Sequence, residues 1–142
     1  VSKSNHFKDL QFYYFHNCVY EKLYTDPRCK RGEWVDTDYV LRKYGSDYRL
    51  ILVGDASMAP SELTLRGGNT IIGLYNEVPG LEWLGTLKNH YSKSVWLNPV
   101  SEAVWERTYG TVSIELVRTV FPMFELSVDG IEAAIKKLLA GR

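Results

Sequence analysis

One short apolar run constrains the fold of this chain more than any other feature. Residues 48–53 are apolar or aromatic at five of six positions and show no period-2 alternation. Such a run is typical of a strand that is covered on both faces in a parallel sheet. Gly54 and Asp55 follow it directly. Because ligands bind at the carboxyl ends of strands in open α/β sheets, Asp55 is the first candidate functional residue.

Strand and helix patterns alternate along the rest of the chain. The aromatic-rich residues 10–24 predict an antiparallel hairpin with a bend near Asn17, and residues 25–33 predict a loop. A cap near Thr37 begins a helix that stops at Gly45. Beyond the strand at 48–53, the patterns predict an irregular loop at 59–80, a helix at 81–91, a strand at Ser94–Asn98, a helix at 111–120, a strand at 123–126 and a last helix capped by Ser127.

This alternation predicts a single α/β domain over residues 1–142. The sheet is expected to be mostly parallel, with helices on both faces and the hairpin as an antiparallel edge. Hydrophobic residues make up 45% of the chain, and the 17 basic residues balance the 17 acidic ones. A neutral chain lacks the field that draws basic proteins to nucleic acid or to anionic membranes, so neither is an expected partner.

The chain shows no membrane or secretion signal that we recognise. No apolar run approaches the roughly 20 residues of a membrane span, and no signal peptide opens the sequence. Cys18 and Cys29 are too few to form a disulfide scaffold, and reduced thiols in the cytoplasm are the better interpretation. His16 and Cys18 could share a strand face as a catalytic or zinc pair, but a buried strand with a hydrogen-bonded histidine is the simpler explanation.

Four longer phrases resemble the von Willebrand factor A (VWA) domain. Within that family they are similar to the CoxE-like branch of bacterial VWA proteins. The phrases occur in the family's order and are spread over nearly the whole chain. They are FYYFHNCVYE at 12–21, LILVGDASMAPSEL at 50–63, SVWLNP at 94–99 and FPMFELSVDGIEAAI at 121–135. The resemblance therefore implies a VWA fold of the Rossmann-like type.

The resemblance also implies a magnesium-dependent adhesion site built from three loops. Asp55 matches the aspartate of the third loop, and Thr37 is the best candidate for the threonine of the second. Ser57, Met58 and Ser61 would then form the rim that chooses a protein partner. The Asp-x-Ser-x-Ser motif of the first loop has no match, since the sequence that follows Asp55 has one serine of the two and lies on the wrong strand.

The missing motif leads to a further expectation from the family's pattern. The chain begins where the family's second strand should be, so the first strand and helix would lie upstream of Val1 and the natural protein would be longer. In the family's sheet order the missing strand lies between the hairpin and the strand at 48–53. Its loss would leave both with unpaired backbone groups.

Each site residue has a structural interpretation as well as a functional one. Asp55 could cap a helix at 57–63, and Thr37 could also be a helix cap. The resemblance implies a non-enzymatic cytoplasmic interaction module that works with a MoxR-type AAA+ ATPase in protein assembly or maturation. The alternatives are a metal-free scaffold and a small phosphoryl-transfer or hydrolase enzyme that uses Asp55.

Overall fold

The computed structural model describes residues 9–68, 75–108 and 110–140. It confirms the predicted α/β class, with a parallel sheet, helices and an antiparallel hairpin. The strands are β1 (Lys22–Tyr24), β2 (Trp34–Asp36), β3 (Leu50–Val53), β4 (Ser94–Asn98) and β5 (Met123–Glu125). The helices are α1 (Thr37–Lys43), α2 (Pro60–Thr64), α3 (Gly80–His90), α4 (Thr111–Arg118) and α5 (Val128–Leu139), with a 3₁₀ turn at Glu102–Val104.

The parallel sheet has the order β3-β4-β5, so β4 is its central strand. All five residues of β4 are buried, as a strand covered on both faces should be. The same expectation for β3 is wrong, because Val53 is 49% exposed. The reason is position: β3 is an edge strand within the described residues, and α5 packs against β4 and β5.

Two apolar clusters cover the two faces of this sheet, which confirms helices on both sides. The larger cluster joins Leu52 and Trp96 of the sheet to the inward residues of α1, α3 and α4. The smaller cluster joins Val95 and Leu97 to the inward face of α5. Alternate residues of each strand therefore point into different clusters, as the period of a strand requires.

The hairpin forms at a different place from the one predicted. β1 and β2 pair antiparallel in a two-stranded sheet of their own, with Leu23 opposite Val35. The predicted hairpin is present only as two isolated antiparallel bridges, Tyr14 with Tyr24 and His16 with Cys18. The bend at Asn17 is confirmed by its positive φ of 68°. Aromatic content indicated extended chain correctly, but it does not say which segments pair.

The segment predicted to be irregular at 59–80 contains the short helix α2, which overlaps the helix at 57–63 that was the alternative interpretation. Residues 69–74 of that segment lie outside the described residues. The cap predicted at Ser127 is confirmed, because its hydroxyl accepts a hydrogen bond from the Gly130 amide at 3.1 Å. Among the helices described here, none is long and apolar enough to cross a membrane.

Candidate functional site

Asp55 lies at the carboxyl end of β3, where the sequence placed it. Its side chain is exposed, and its carboxylate accepts a hydrogen bond from the Ser57 amide at 3.0 Å. This contact closes a tight turn of the kind that aspartate favours. Helix α2 begins later, with Ala59 as its N-cap residue, so Asp55 caps the turn and not that helix.

Two side chains of β4 hold the start of this turn. The Trp96 indole donates to the Gly54 carbonyl at 2.8 Å, and the Asn98 amide donates to the Asp55 carbonyl at 3.0 Å. Both side chains belong to fully buried residues of the central strand. The backbone of Asp55 is therefore fixed to the most buried element of the sheet while its carboxylate faces solvent.

The far end of the turn is held by helix α4. The Ser113 hydroxyl donates to the Met58 carbonyl at 2.5 Å, in a buried position. Gly110 lies so close to Ser57 that a Cβ added to this glycine would stand 2.3 Å from the serine Cβ. Ala56, between the two anchors, is buried and has a left-handed φ of 57°. A non-glycine residue keeps such a backbone only where its surroundings impose it.

The three residues predicted to form a partner-binding rim differ in their accessibility. Ser57 is exposed beside Asp55. Met58 is 6% exposed and lies in the larger apolar cluster. Ser61 is half-buried, and its hydroxyl donates to the Gly68 carbonyl at 3.3 Å. Asp55 and Ser57 are thus accessible from solvent, whereas Met58 supports the turn from the core side.

Thr37, the other predicted metal ligand, is fully buried. Its hydroxyl donates to the Tyr20 carbonyl at 2.5 Å, and its amide donates to the Glu21 carbonyl at 2.9 Å. Both contacts tie the first residue of α1 to the chain just before β1. The N-cap residue of the helix is Asp36, whose carboxylate pairs with Lys22 at 2.5 Å. Thr37 therefore works in this structure as an anchor between two segments.

The described residues fit a magnesium ion poorly. Magnesium prefers six oxygen ligands in an octahedron, usually with one or two carboxylates among them. Asp55 offers one exposed carboxylate, and the hydroxyl of Thr37 is buried in another contact. In residues 9–68, 75–108 and 110–140, no three His, Cys, Asp or Glu side chains come together as a metal site.

Sequence reasoning missed a buried carboxylate next to the site. Glu62 of α2 is 1% exposed, and it accepts hydrogen bonds from the Tyr20 hydroxyl at 2.7 Å and the Asn17 amide at 3.1 Å. Burial and this hydrogen bond raise the pKa of Tyr20 well above its usual value. The network fixes α2 against the N-terminal segment. A single glutamate between Ser61 and Leu63 gives no sequence signal of its own.

Asn98 was also missed, although a signal for it existed. It is a polar residue at the carboxyl end of an apolar strand, as Asp55 is. Its side chain bridges two loops, because the carboxamide oxygen also accepts from the Val100 amide at 2.8 Å. Ligands bind at the carboxyl ends of strands in open α/β sheets, and a search of every strand end for polar residues would have found Asn98.

His16 and Cys18 do not form a reactive pair. A turn at Asn17 separates them, with His16 exposed and Cys18 1% exposed. Burial raises the pKa of the Cys18 thiol to about 12, which keeps it protonated at neutral pH. A protonated thiol is neither a nucleophile nor a metal ligand. Cys18 therefore belongs to the core, and both cysteines are free thiols.

Comparison with protein-family models, with curated proteins and with solved structures found no match to this chain. The VWA resemblance therefore stays a prediction that depends on the phrases quoted above.

Proposed function

We propose that this chain is a non-enzymatic protein-interaction module of the VWA type, and that its contact surface is the turn at Asp55 and Ser57. One observation carries the proposal: an exposed carboxylate and hydroxyl stand on a backbone that β4 fixes at one end and α4 at the other. A surface fixed before binding loses little conformational freedom when the partner arrives. Such a turn suits recognition of another protein.

The resemblance supports a MoxR-type AAA+ ATPase as the partner and the cytoplasm as the location. The chemistry of the turn adds a requirement, since an exposed carboxylate is best met by arginine or lysine on the partner. The formal net charge of the chain is zero, so long-range attraction to a polyanion is weak. This favours a local contact between the turn and its partner. The proposed partner is accordingly a protein with a basic contact patch.

Two forms of this function differ in their need for a divalent cation. In the form implied by the resemblance, Asp55 would hold a magnesium ion that supplies the attraction for a carboxylate of the partner. In the metal-free form, Asp55 contacts the partner directly. The burial of Thr37 and its contact with Tyr20 favour the metal-free form for this chain. We therefore propose direct contact.

Binding of the purified ATPase to immobilised chain tests the proposal, with the same titration in magnesium and in EDTA. Asp55→Ala and Asp55→Asn should each weaken binding by at least about tenfold, equivalent to about 1.4 kcal/mol. Asp47→Ala is the matched control, because Asp47 is an exposed aspartate before the opposite end of β3. Equal affinity in all four proteins would refute the proposal, and loss of wild-type binding in EDTA would replace direct contact with the magnesium form.

A further inference from the structure

The Asp55 turn has a third support, which comes from the segment that leads into the hairpin. The ring of Phe15 packs edge-on against the Trp96 indole, with 6.2 Å between the ring centroids. A Cβ added to Gly54 would stand 3.3 Å from Cζ2 of Trp96 and 3.7 Å from Cζ of Phe15. Gly54, the residue before Asp55, therefore lies against both aromatic rings.

Trp96 connects this aromatic contact to the backbone of the turn. Its indole donates to the Gly54 carbonyl at 2.8 Å, and the whole residue is buried. Phe121 packs against the same indole, with the ring centroids 6.1 Å apart. Close packing leaves a buried indole little room for another orientation. The direction of its N–H, and with it the place of the Gly54 carbonyl, therefore depends on the rings that pack against it.

Backbone hydrogen bonds on either side hold Phe15 in place. Before it, Tyr14 and Tyr24 exchange two backbone hydrogen bonds of 2.9 and 2.8 Å. After it, the Cys18 amide donates to the His16 carbonyl at 2.8 Å and closes a tight bend. The position of Phe15 is therefore tied to β1, the strand that contains Tyr24.

The Phe15 contact joins two sheets that have no backbone pairing with each other in the part of the chain that the structure describes. The strands β1 and β2 form one sheet, and β3, β4 and β5 form the other. Phe15 is half-buried and reaches from the first sheet to the residue that follows β3. Packed side chains are a physical route by which one element sets the position of another.

We propose that Phe15 is a positioning residue for the Asp55 turn, so that the hairpin helps to set the geometry of the contact surface. This inference rests on the proposed function, in which Asp55 meets the partner. Phe15 acts without touching the partner: its ring holds the Trp96 indole, and the indole holds the Gly54 carbonyl. Removing the ring leaves space beside the indole, and the turn loses the fixed geometry that favours binding.

Exchange of the Trp96 indole proton, followed by NMR in the free chain, tests the first step. Phe15→Ala should speed this exchange at least about tenfold beyond what its loss of global stability accounts for, because the bond to Gly54 opens locally. Urea unfolding of the same variant measures the global loss. Phe15→Leu, which keeps apolar volume against the indole, should restore most of the protection.

Two control variants separate a positioning role from general packing. Phe12→Ala removes an aromatic ring of the same segment that is 69% exposed. Ile131→Ala truncates a half-buried side chain of the smaller cluster, on the other face of the sheet. Phe12→Ala should leave the indole exchange unchanged, and Ile131→Ala should speed it no more than its loss of global stability requires.

Affinity for the purified ATPase tests the second step. Phe15→Ala should weaken binding by at least about fivefold, since the turn is no longer fixed before the partner arrives. Phe12→Ala and Ile131→Ala should bind like the wild type, and Phe15→Leu should bind nearly as well.

Four results would overturn the inference. The first is an indole exchange in Phe15→Ala that follows global stability alone, and the second is an equal excess in Ile131→Ala. The third is weaker binding with unchanged indole exchange, which would make Phe15 a contact residue. The fourth is unchanged binding with a faster indole. The exchange is measured without the partner, so it decides the role of Phe15 even where the wild-type chain fails to bind the ATPase, a failure that would refute the proposed function instead.

Discussion

At the scale of single residues, position at the end of a strand predicted the placement of Asp55 correctly. Asp55 follows the carboxyl end of β3, as the apolar run before it predicted, and Ser57 lies beside it. Thr37 shows the limit of the same reasoning. Its buried hydroxyl donates a hydrogen bond to the carbonyl of Tyr20, which lies 17 positions earlier in the chain. No local pattern indicates a contact between segments that meet only after folding.

The role of Thr37 as an anchor can be tested with two substitutions. Thr37→Val keeps the shape of the side chain but leaves the buried Tyr20 carbonyl without its donor. We expect it to lower the free energy of unfolding by about 1–3 kcal/mol, as loss of a buried hydrogen bond does. Thr37→Ser, which retains the hydroxyl, should cost less. Urea unfolding measures both, and equal losses in the two variants would contradict the hydrogen bond as the cause.

Buried Cys18 predicts a loss of stability at alkaline pH. Its pKa is raised from about 9 to about 12 by burial, so the folded chain holds this proton where the unfolded chain releases it. The stabilisation is complete below pH 9 and falls as the pH rises toward 12, by about 1.4 kcal/mol per pH unit. Urea unfolding at pH 8, 9 and 10 should show the fall, and Cys18→Ala should reduce its slope. Tyr20, whose pKa is also raised from 10.0, adds to the fall only as the pH reaches and passes 10.

At the scale of elements, local sequence signals predicted the helices and the central strand accurately. The strand at Ser94–Asn98 has the predicted bounds, and α3 begins within one residue of its prediction. The apolar pattern of each element lies within it, and its stop signal lies at its end. These local features are enough to predict the bounds from the sequence. The five-residue helix α2 was predicted only as an alternative, at 57–63, because it is too short to show a period. The hairpin was misplaced because strand pairing is not local.

The cap of α5 gives a quantitative test at this scale. Ser127 accepts a hydrogen bond from the Gly130 amide, so Ser127→Ala should lower the free energy of unfolding by about 0.5–2 kcal/mol. Ser101→Ala is the matched control, because Ser101 precedes the 3₁₀ turn without a side-chain cap bond. Thermal unfolding of the two variants compares them directly. A larger loss for Ser101→Ala would contradict the cap assignment.

At the scale of the whole molecule, the fold consists of a buried central strand with less protected strands on either side. The α/β class and the helices on both faces followed from the alternation of patterns. The order of the strands and the separation of the hairpin from the parallel sheet did not follow. Those features depend on which apolar faces meet, and many strand orders satisfy the same sequence of elements.

Hydrogen exchange of the dilute chain tests this arrangement. Amides of β4 should exchange most slowly, since β4 is paired on both sides and all its residues are buried. Along β3 the rates should alternate, with Ile51 and Val53 exchanging much faster than Leu50 and Leu52. NMR detection of individual amides gives the pattern. Uniform protection along β3 would contradict an open edge.

The most direct test of the proposed function is the affinity of the MoxR-type ATPase for the wild-type chain and for Asp55→Asn. That substitution keeps an acceptor for the Ser57 amide and removes only the charge, so the turn itself should survive. The proposal predicts wild-type binding that persists in EDTA and weakens by at least about tenfold in Asp55→Asn, with Asp47→Asn unchanged. Undiminished binding by a folded Asp55→Asn chain would contradict it.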